Sequence, residues 1–329
     1  HVENRLDEII NSLQKNSLSL PEDCSIITKN NQIMHQLRQV IISSEFVSRT
    51  FIRNPSLLID LIKSGDLERS YCDGGYKLKI EQQIKSIKDL SSVKNSSTAS
   101  VSDNSAVEDI FLKEQLGKIR EREMVRIAWQ DITGKVSLEQ TLKDLSDLAE
   151  ACVDKAITFI YDKLCSIYGT PLDKNGNVQQ LIVLGMGKLG AGELNFSSDI
   201  DLIFVYPDDA PFEGKFNTTG EFFTKMCKNF LKVFDSSMVS SNGSSSTMLF
   251  RVDTRLRPFG ANGPIAMSFY TMEDYYQTQG RDWERYALIK ARPIAGDIAA
   301  GYTLLKTLNP FIYRRYFDYG SFDSLRDMK

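Results

Sequence analysis

Asp199 and Asp201 stand two residues apart at the head of DIDLIFVY (199–206). The run is apolar and rich in strand-forming residues, so period-two geometry puts both carboxylates on one strand face and Ile200, Leu202 and Phe204 on the other. Two carboxylates held this close repel unless a cation or hydrogen-bond donors compensate. Oxygen ligands of this kind suit Mg²⁺ or Mn²⁺. Two such ions can activate an attacking oxygen and stabilise a leaving one in phosphoryl or nucleotidyl transfer. The turn GMGKLG (185–190) lies just upstream. Gly185, Gly187 and Gly190 let the backbone approach a phosphate, amides at the following helix start can hold it, and Lys188 adds a positive charge. Ser197 and Ser198 supply hydroxyl donors beside the aspartates. G-x-G-x-x-G and D-x-D are each weak signals, but their succession in this order is stronger. Lys188 is not followed by Ser or Thr, which excludes a Walker A loop. The acidic pair comes too soon, and doubled, for a Rossmann turn.

A third carboxylate, Asp253, falls in MLFRVDTRL (248–256), which reads as another strand. Arg251, Asp253, Arg255 and Arg257 then share one face. A solvated edge strand and a site for an anionic ligand plus metal account for that face equally well, and the upstream motif favours the second. Further on, QGRDWERYALIKAR (279–292) patterns as a helix. Trp283, Ala287 and Ala291 share one of its faces, and Arg281, Arg285 and roughly Lys290 another. Ion pairs explain part of this charge. Lys290 and Arg292, at the helix end, are placed to reach phosphate, as are Arg255 and Arg257 on the strand.

Holding these groups takes a sheet. Three short strands are expected, Gln180–Gly185, Asp199–Tyr206 and Met248–Leu256, with a helix over Thr218–Phe234 and helical patterns from Ser268 to Lys329. The chain before them reads as helical. Gln32–Lys63 carries apolar residues at helical spacing, with Asn54 and Pro55 starting a new helix. Ala106–Ile132 is a long helix whose charges (Lys113, Glu114, Lys118, Arg120, Glu121, Arg122, Glu123 and Arg126) read mainly as a solvated face with i,i+4 pairs. Gly134 stops it and Ser137 opens the next, which runs to Tyr168. The Ser-rich stretch 91–105 reads as a mobile loop, and Ser236–Thr247 as a second loop. The expectation is an α+β chain, with a helical region over 1–177 and a catalytic core with following helices over 178–329.

Composition narrows the function further. The 329 residues hold 40 Lys and Arg against 43 Asp and Glu, a net charge of −3. That balance gives no reason to expect a nucleic-acid partner bound through its phosphates. No apolar stretch approaches the ~20 residues of a membrane span, and the polar N-terminus lacks a signal-peptide profile, so a cytoplasmic protein without a membrane partner is expected. The histidines are His1 and His35 alone, which excludes a histidine-based triad or metal cluster. Five scattered cysteines without a C-x-x-C pair suggest neither a zinc site nor a thioredoxin-like motif. The chain begins at His1 and stops inside the helical pattern Phe322–Lys329, and it reads as a fragment of a longer protein.

Three segments, GMGKLGAGELNFSSDIDLIFVYP (185–207), VDTRLRPFGANGPIAMSF (252–269) and EDYYQTQGRDWERYALIKARPIAGD (273–297), closely resemble the glutamine synthetase adenylyltransferase family. The resemblance covers most of 183–329 and is looser in the helical part. It implies a nucleotidyltransferase domain of the DNA polymerase β type. Family members carry two such domains. One transfers AMP from ATP to a tyrosine of glutamine synthetase, and the other removes it by phosphorolysis, yielding ADP. NFSSDIDLIF and GRDWERYALIKAR resemble the N-terminal, adenylyl-removing copy. The resemblance further implies Asp199 and Asp201 as the metal-binding pair, Asp253 as the third carboxylate, and Gly187, Lys188 and Ser198 as a phosphate cradle. It also implies Mg²⁺ or Mn²⁺ as cofactor. Glutamine synthetase, ATP, ADP and phosphate would be partners, with a PII-type signal protein acting through the full-length protein. Ala191-Gly192 is a small departure, where a second glycine or a basic residue is expected.

Three other functions compete. Forward adenylylation of glutamine synthetase would use the same residues. A nucleotide-sensing module without turnover would have no need of three costly carboxylates. A D-x-D glycosyltransferase fits poorly with the upstream turn and with Asp253.

Overall fold

The computed structural model describes residues 5, 6, 8, 9, 11, 30–92, 101–234 and 249–313. The loop expected over Ser236–Thr247 and the helix expected over Phe322–Lys329 lie outside the described residues. The chain divides into two compact units, His1–Gly75 with Lys118–Leu145, and Tyr76–Gly117 with Ser146–Lys329. Among the described residues no helix is long and apolar enough to cross a membrane.

The first unit is helical. It opens with α1 (Asn31–Ser43), α2 (Glu45–Arg53) and α3 (Ser56–Ser64). Asn30 Oδ1 accepts from the Gln32 and Ile33 amides at 3.1 Å, and Ser44 Oγ accepts from Val47 N–H at 3.3 Å, so side chains satisfy the orphan donors at both starts. Apolar spacing shows the break at Asn54-Pro55 but not the one at Ser44, where a cap interrupts an otherwise helical pattern. Leu37, Val40, Ile41, Val47, Phe51, Leu58 and Leu61 are buried with Trp129, whose ring meets Phe51 edge-on at 6.3 Å.

Three longer helices follow, α4 (Gly75–Ser92), α5 (Val101–Ile132) and α6 (Leu138–Tyr168). Gly134, at φ +67°, and the Ser137 cap on Gln140 N–H separate α5 from α6, as expected. Two expectations need correction. Ser91 and Ser92 end α4 and Val101–Ser105 begin α5, so both ends of the loop expected over 91–105 are helical; residues 93–100 lie outside the described residues. Serine costs a helix only ~0.5 kcal/mol per residue, too little to stop one by composition. Nor are the charges of α5 mainly a solvated face. Lys113, Arg122, Glu123 and Arg126 are buried. In the first unit, Arg122 donates to Asp60, Asp66 and Glu123, and Arg126 donates to Glu123 and Gln130, each at 2.7 Å, while stacking 4.2 Å above the Tyr71 ring. Residues remote in sequence supply much of this network, which local charge spacing cannot show.

The second unit holds a mixed sheet of β1 (Ile182–Gly185), β2 (Ile200–Tyr206), β3 (Val252–Asp253), β4 (Ala266–Ser268) and β5 (Arg292–Gly296). Its order is β3-β2-β1-β5, with β4 also on β2. β1 runs antiparallel to β2 and β5, whereas β3 and β4 both run parallel to β2. One helical turn, α7 (Gly187–Gly190), follows β1, and α8 (Thr219–Phe234) follows β2. Then come α9 (Phe269–Thr278), α10 (Asp282–Ile289) and α11 (Ile298–Ile312). Ile203 and Val205 of β2 pack into one core with Ile182, Leu184, Met272, Tyr275, Leu288 and Leu304. On the other face Phe204 meets Phe230 of α8 at 5.5 Å and Tyr206 stacks on Phe223. The chain is thus α+β.

The sheet departs from expectation in three places. The strand expected over Met248–Leu256 pairs only at Val252 and Asp253; Met248 is outside the described residues, and the chain turns away at Thr254. β4 was not anticipated. Arg292–Gly296, expected to end a helix, is instead an edge strand. Pro293 is tolerated there because an edge strand does not need every N–H.

Candidate active site

Asp199 immediately precedes β2, Asp201 is its second residue, and Asp253 lies opposite Asp201 across the parallel β2–β3 pair. Strand pairing, not sequence proximity, therefore brings Asp253 to the Asp199 and Asp201 pair. The outer two are held by arginines. Arg251 Nε donates to Asp199 at 2.6 Å, and the Arg255 amide and Nε each donate to Asp253 at 2.8 Å. That hydrogen bonding lowers the Asp253 pKa. Both arginine side chains are more than two-thirds exposed, so they can swing away from the carboxylates at little cost. Asp201 differs. Its carboxylate is half-buried and makes no hydrogen bond or ion pair with the described residues. Burial first, then the charges of Asp253 and Asp199, push its pKa up, opposed only by Arg255. An all-carboxylate donor set with an uncompensated central member fits a hard divalent cation such as Mg²⁺ or Mn²⁺. Among the described residues no group of three or more His, Cys, Asp or Glu side chains is arranged to hold a metal ion.

The glycine turn abuts this group. Met186 N–H donates to Asp201 O at 2.9 Å, and Gly187, at φ +53°, lies so close that a Cβ would sit 3.3 Å from Asp201 Oδ2. A Cβ on Gly190 would meet Lys290 O at 1.9 Å, so only glycine permits the packing. Gly185 packs against Ile294. Lys188 Nζ approaches Ser198 Oγ at 3.4 Å. Asn195 Oδ1 accepts from Ser197 N–H, Ser197 Oγ and Ser198 Oγ, the last at 2.6 Å, and so orders the serine pair. Asn195 was missed by sequence reasoning, although an Asn two residues before a serine pair is an Asx-turn signal.

The remaining cations are committed elsewhere. Arg292 donates to the Gly190 and Leu189 carbonyls and pairs with Glu150, clamping the end of α7. Lys290 pairs with Glu193 at 2.9 Å. Glu150 and Glu193 left no local signal, since each reaches its partner only through the fold. Arg257 is buried and donates to the carbonyls of Thr254, Ala261, Gly263 and Pro264 and to Thr254 Oγ1. Burial lowers its pKa.

Arg257 organises an unusual connection. β3 ends opposite Asp201 and β4 begins opposite Phe204, so only Leu202 and Ile203 separate them along β2. Residues 254–265 fill this short interval as an excursion wrapped around the guanidinium. At its tip Gly260 N–H donates to Arg257 O at 2.9 Å, enclosing Pro258 and Phe259. Phe259 has φ +63°, the position in such a turn that favours glycine. A bulky side chain there costs about 1–3 kcal/mol.

Comparison with known proteins shows the family. Residues 34–307 match the family described as glutamate-ammonia ligase adenylyltransferase. The chain is 42% identical over 294 residues to the bifunctional glutamine synthetase adenylyltransferase/adenylyl-removing enzyme of Thioalkalivibrio sulfidiphilus. It is 43% identical over 297 residues to the protein of that name in Pseudomonas putida, and 44% over 290 to that of Nitrosococcus oceani. These matches cover 89%, 89% and 87% of this chain, but 28%, 28% and 27% of the relatives. The chain thus spans little more than a quarter of their length, and within that span it belongs to the glutamate-ammonia ligase adenylyltransferase family.

Proposed function

We propose that this chain is the adenylyl-removing nucleotidyltransferase module of a bifunctional regulator of glutamine synthetase, with its sheet arranged as in DNA polymerase β and its catalytic core over 178–329. The supporting observation is Asp201, half-buried between Asp199 and Asp253, without a hydrogen-bond donor among the described residues, and pressed against Gly187. A structural carboxylate in that position would have acquired a donor. The adenylyl-removing direction draws on the likeness of NFSSDIDLIF and GRDWERYALIKAR to that half of the family.

In the proposed reaction an oxygen of inorganic phosphate forms a bond to the adenylyl phosphorus, and the bond from phosphorus to the tyrosyl oxygen breaks. The electron pair stays on the tyrosine oxygen, which takes a proton, and ADP leaves. Asp199, Asp201 and Asp253 would hold Mg²⁺ or Mn²⁺, which supplies Lewis-acid polarisation when bound. Lys188, Ser197 and Ser198 would orient the phosphate from the glycine turn. Arg251 and Arg255 would exchange their carboxylate partners for substrate phosphate oxygens. Arg257, Lys290 and Arg292 would act by holding the surrounding loops in place. The setting would be the cytoplasm, with a PII-type signal protein acting through the full-length protein.

The test is Asp201→Asn, assayed with adenylylated glutamine synthetase and phosphate. ADP release should fall by about 10³-fold, the loss expected when several kcal/mol of metal-assisted stabilisation disappear, while the chain stays folded. Wild-type turnover in the variant would sink the site. Transfer of AMP from ATP to unmodified synthetase by the unmutated chain would instead assign it the forward reaction, and metal-dependent nucleotide binding without turnover would make it a sensor.

A further inference from the structure

Phe259 combines a backbone conformation that favours glycine with a side chain that stays largely exposed. Asp201 shares a strand face with Ile203 and Val205, by the alternation of β2. Ile203 and Val205 pack in the same core as Tyr275, and the Phe259 ring lies against Tyr275 at 4.4 Å. Phe259 therefore stands on the carboxylate face of the sheet. It is carried by an excursion that leaves β3 directly after Asp253. Arg257 ties that excursion back to Thr254 O at 2.7 Å, so its base is fixed beside the site.

Backbone and side chain pull in opposite directions at this tip. The turn wants glycine, yet the chain places its ring there, in the only non-glycine residue with positive φ among those described. The residue is 46% exposed, and its ring meets Tyr275 only edge-on. Strain retained at an exposed aromatic residue, on the excursion that leaves Asp253 and on the carboxylate face of the sheet, points to a ligand rather than to packing. The charged groups nearby are matched to phosphate. What they leave unrecognised in a nucleotide is its flat, uncharged base, and an open aromatic face is suited to it.

We propose that Phe259 is the stacking platform for the purine base of the nucleotide held at the carboxylate site. This rests on the nucleotidyl-transfer function proposed above. Phe259→Gly is the informative variant, because glycine relieves the backbone and removes the ring. Binding of ADP and of inorganic pyrophosphate, both with Mg²⁺, would be measured by calorimetry for the wild-type chain, Phe259→Gly and Phe259→Trp, alongside thermal unfolding. The expected result is about tenfold weaker ADP binding in Phe259→Gly, as for loss of one base–aromatic stack. Pyrophosphate binding should be unchanged, the unfolding temperature not lowered, and ADP affinity restored by Phe259→Trp. Unchanged ADP affinity in Phe259→Gly would overturn the platform, as would equal weakening of ADP and pyrophosphate. A lowered unfolding temperature with normal ADP binding would assign the ring to packing on Tyr275. If the wild-type chain binds neither ligand, the nucleotidyl-transfer function itself fails, and the platform with it.

Discussion

Glu123 and Arg126 of the helical unit are wholly buried, and so is most of Arg122. They form a network in which Glu123 accepts from both arginines, Arg122 also reaches Asp60 and Asp66, and Arg126 reaches Gln130. In the sheet unit, Asp201 is only half-buried, yet it has no donor among the described residues and faces two other carboxylates. The network exchanges water for well-placed opposite charges, which makes it costly to break and chemically quiet. The Asp201 carboxylate keeps its repulsion, which is relieved only when something positive arrives. Burial of charge is thus a poor guide to function. The missing partner is the better one.

Asp201→Asn should break this comparison most visibly, with the roughly 10³-fold loss of ADP release expected above and no loss of folding. In the helical unit the reverse is expected. Glu123→Gln leaves two buried guanidinium groups without their shared carboxylate and should cost about 3–5 kcal/mol in urea unfolding; an unchanged midpoint would mean the network contributes no stability. Arg257→Ala lies between these extremes. Removing the donor that collects four loop carbonyls should cost about 2 kcal/mol of stability and weaken ADP binding, read by denaturation and calorimetry on one preparation. The smallest effect sharpens the contrast most. At neutral pH without metal, Asp201→Asn should unfold at a temperature equal to or slightly above that of the wild type, because it removes carboxylate repulsion. Mg²⁺ should raise the wild-type value by a few degrees and leave the variant's unmoved. A metal-induced rise in both would place the cation elsewhere.

Much of the fold was legible because it is local. The strand at Ile200–Tyr206 follows from its own apolar, strand-forming run, and the helix at Thr219–Phe234 from the helical period of its own residues. Ser137 and Gly134 mark a helix start and stop by their own chemistry. The order of glycine turn, serines and Asp-x-Asp was equally plain. Elements whose existence depends on a neighbour were not. β5 is a strand because β1 presents an edge to it, and Arg292–Gly296 has no alternation of its own. The long excursion after Asp253 exists because Arg257 gathers carbonyls, a preference that an Arg-x-Arg pattern does not express.

For the site, sequence by itself determined which residue types stand at which spacing: three aspartates, a glycine turn and an excess of cations nearby. Only the tertiary structure decided how they are used. It set Asp253 opposite Asp201, gave Asp199 and Asp253 arginine partners, and left Asp201 without one. It also committed Arg292 to Glu150, 142 residues away. The physical reason is that a side chain's type fixes what it can donate or accept, whereas its desolvation and partners are set by every element packed around it.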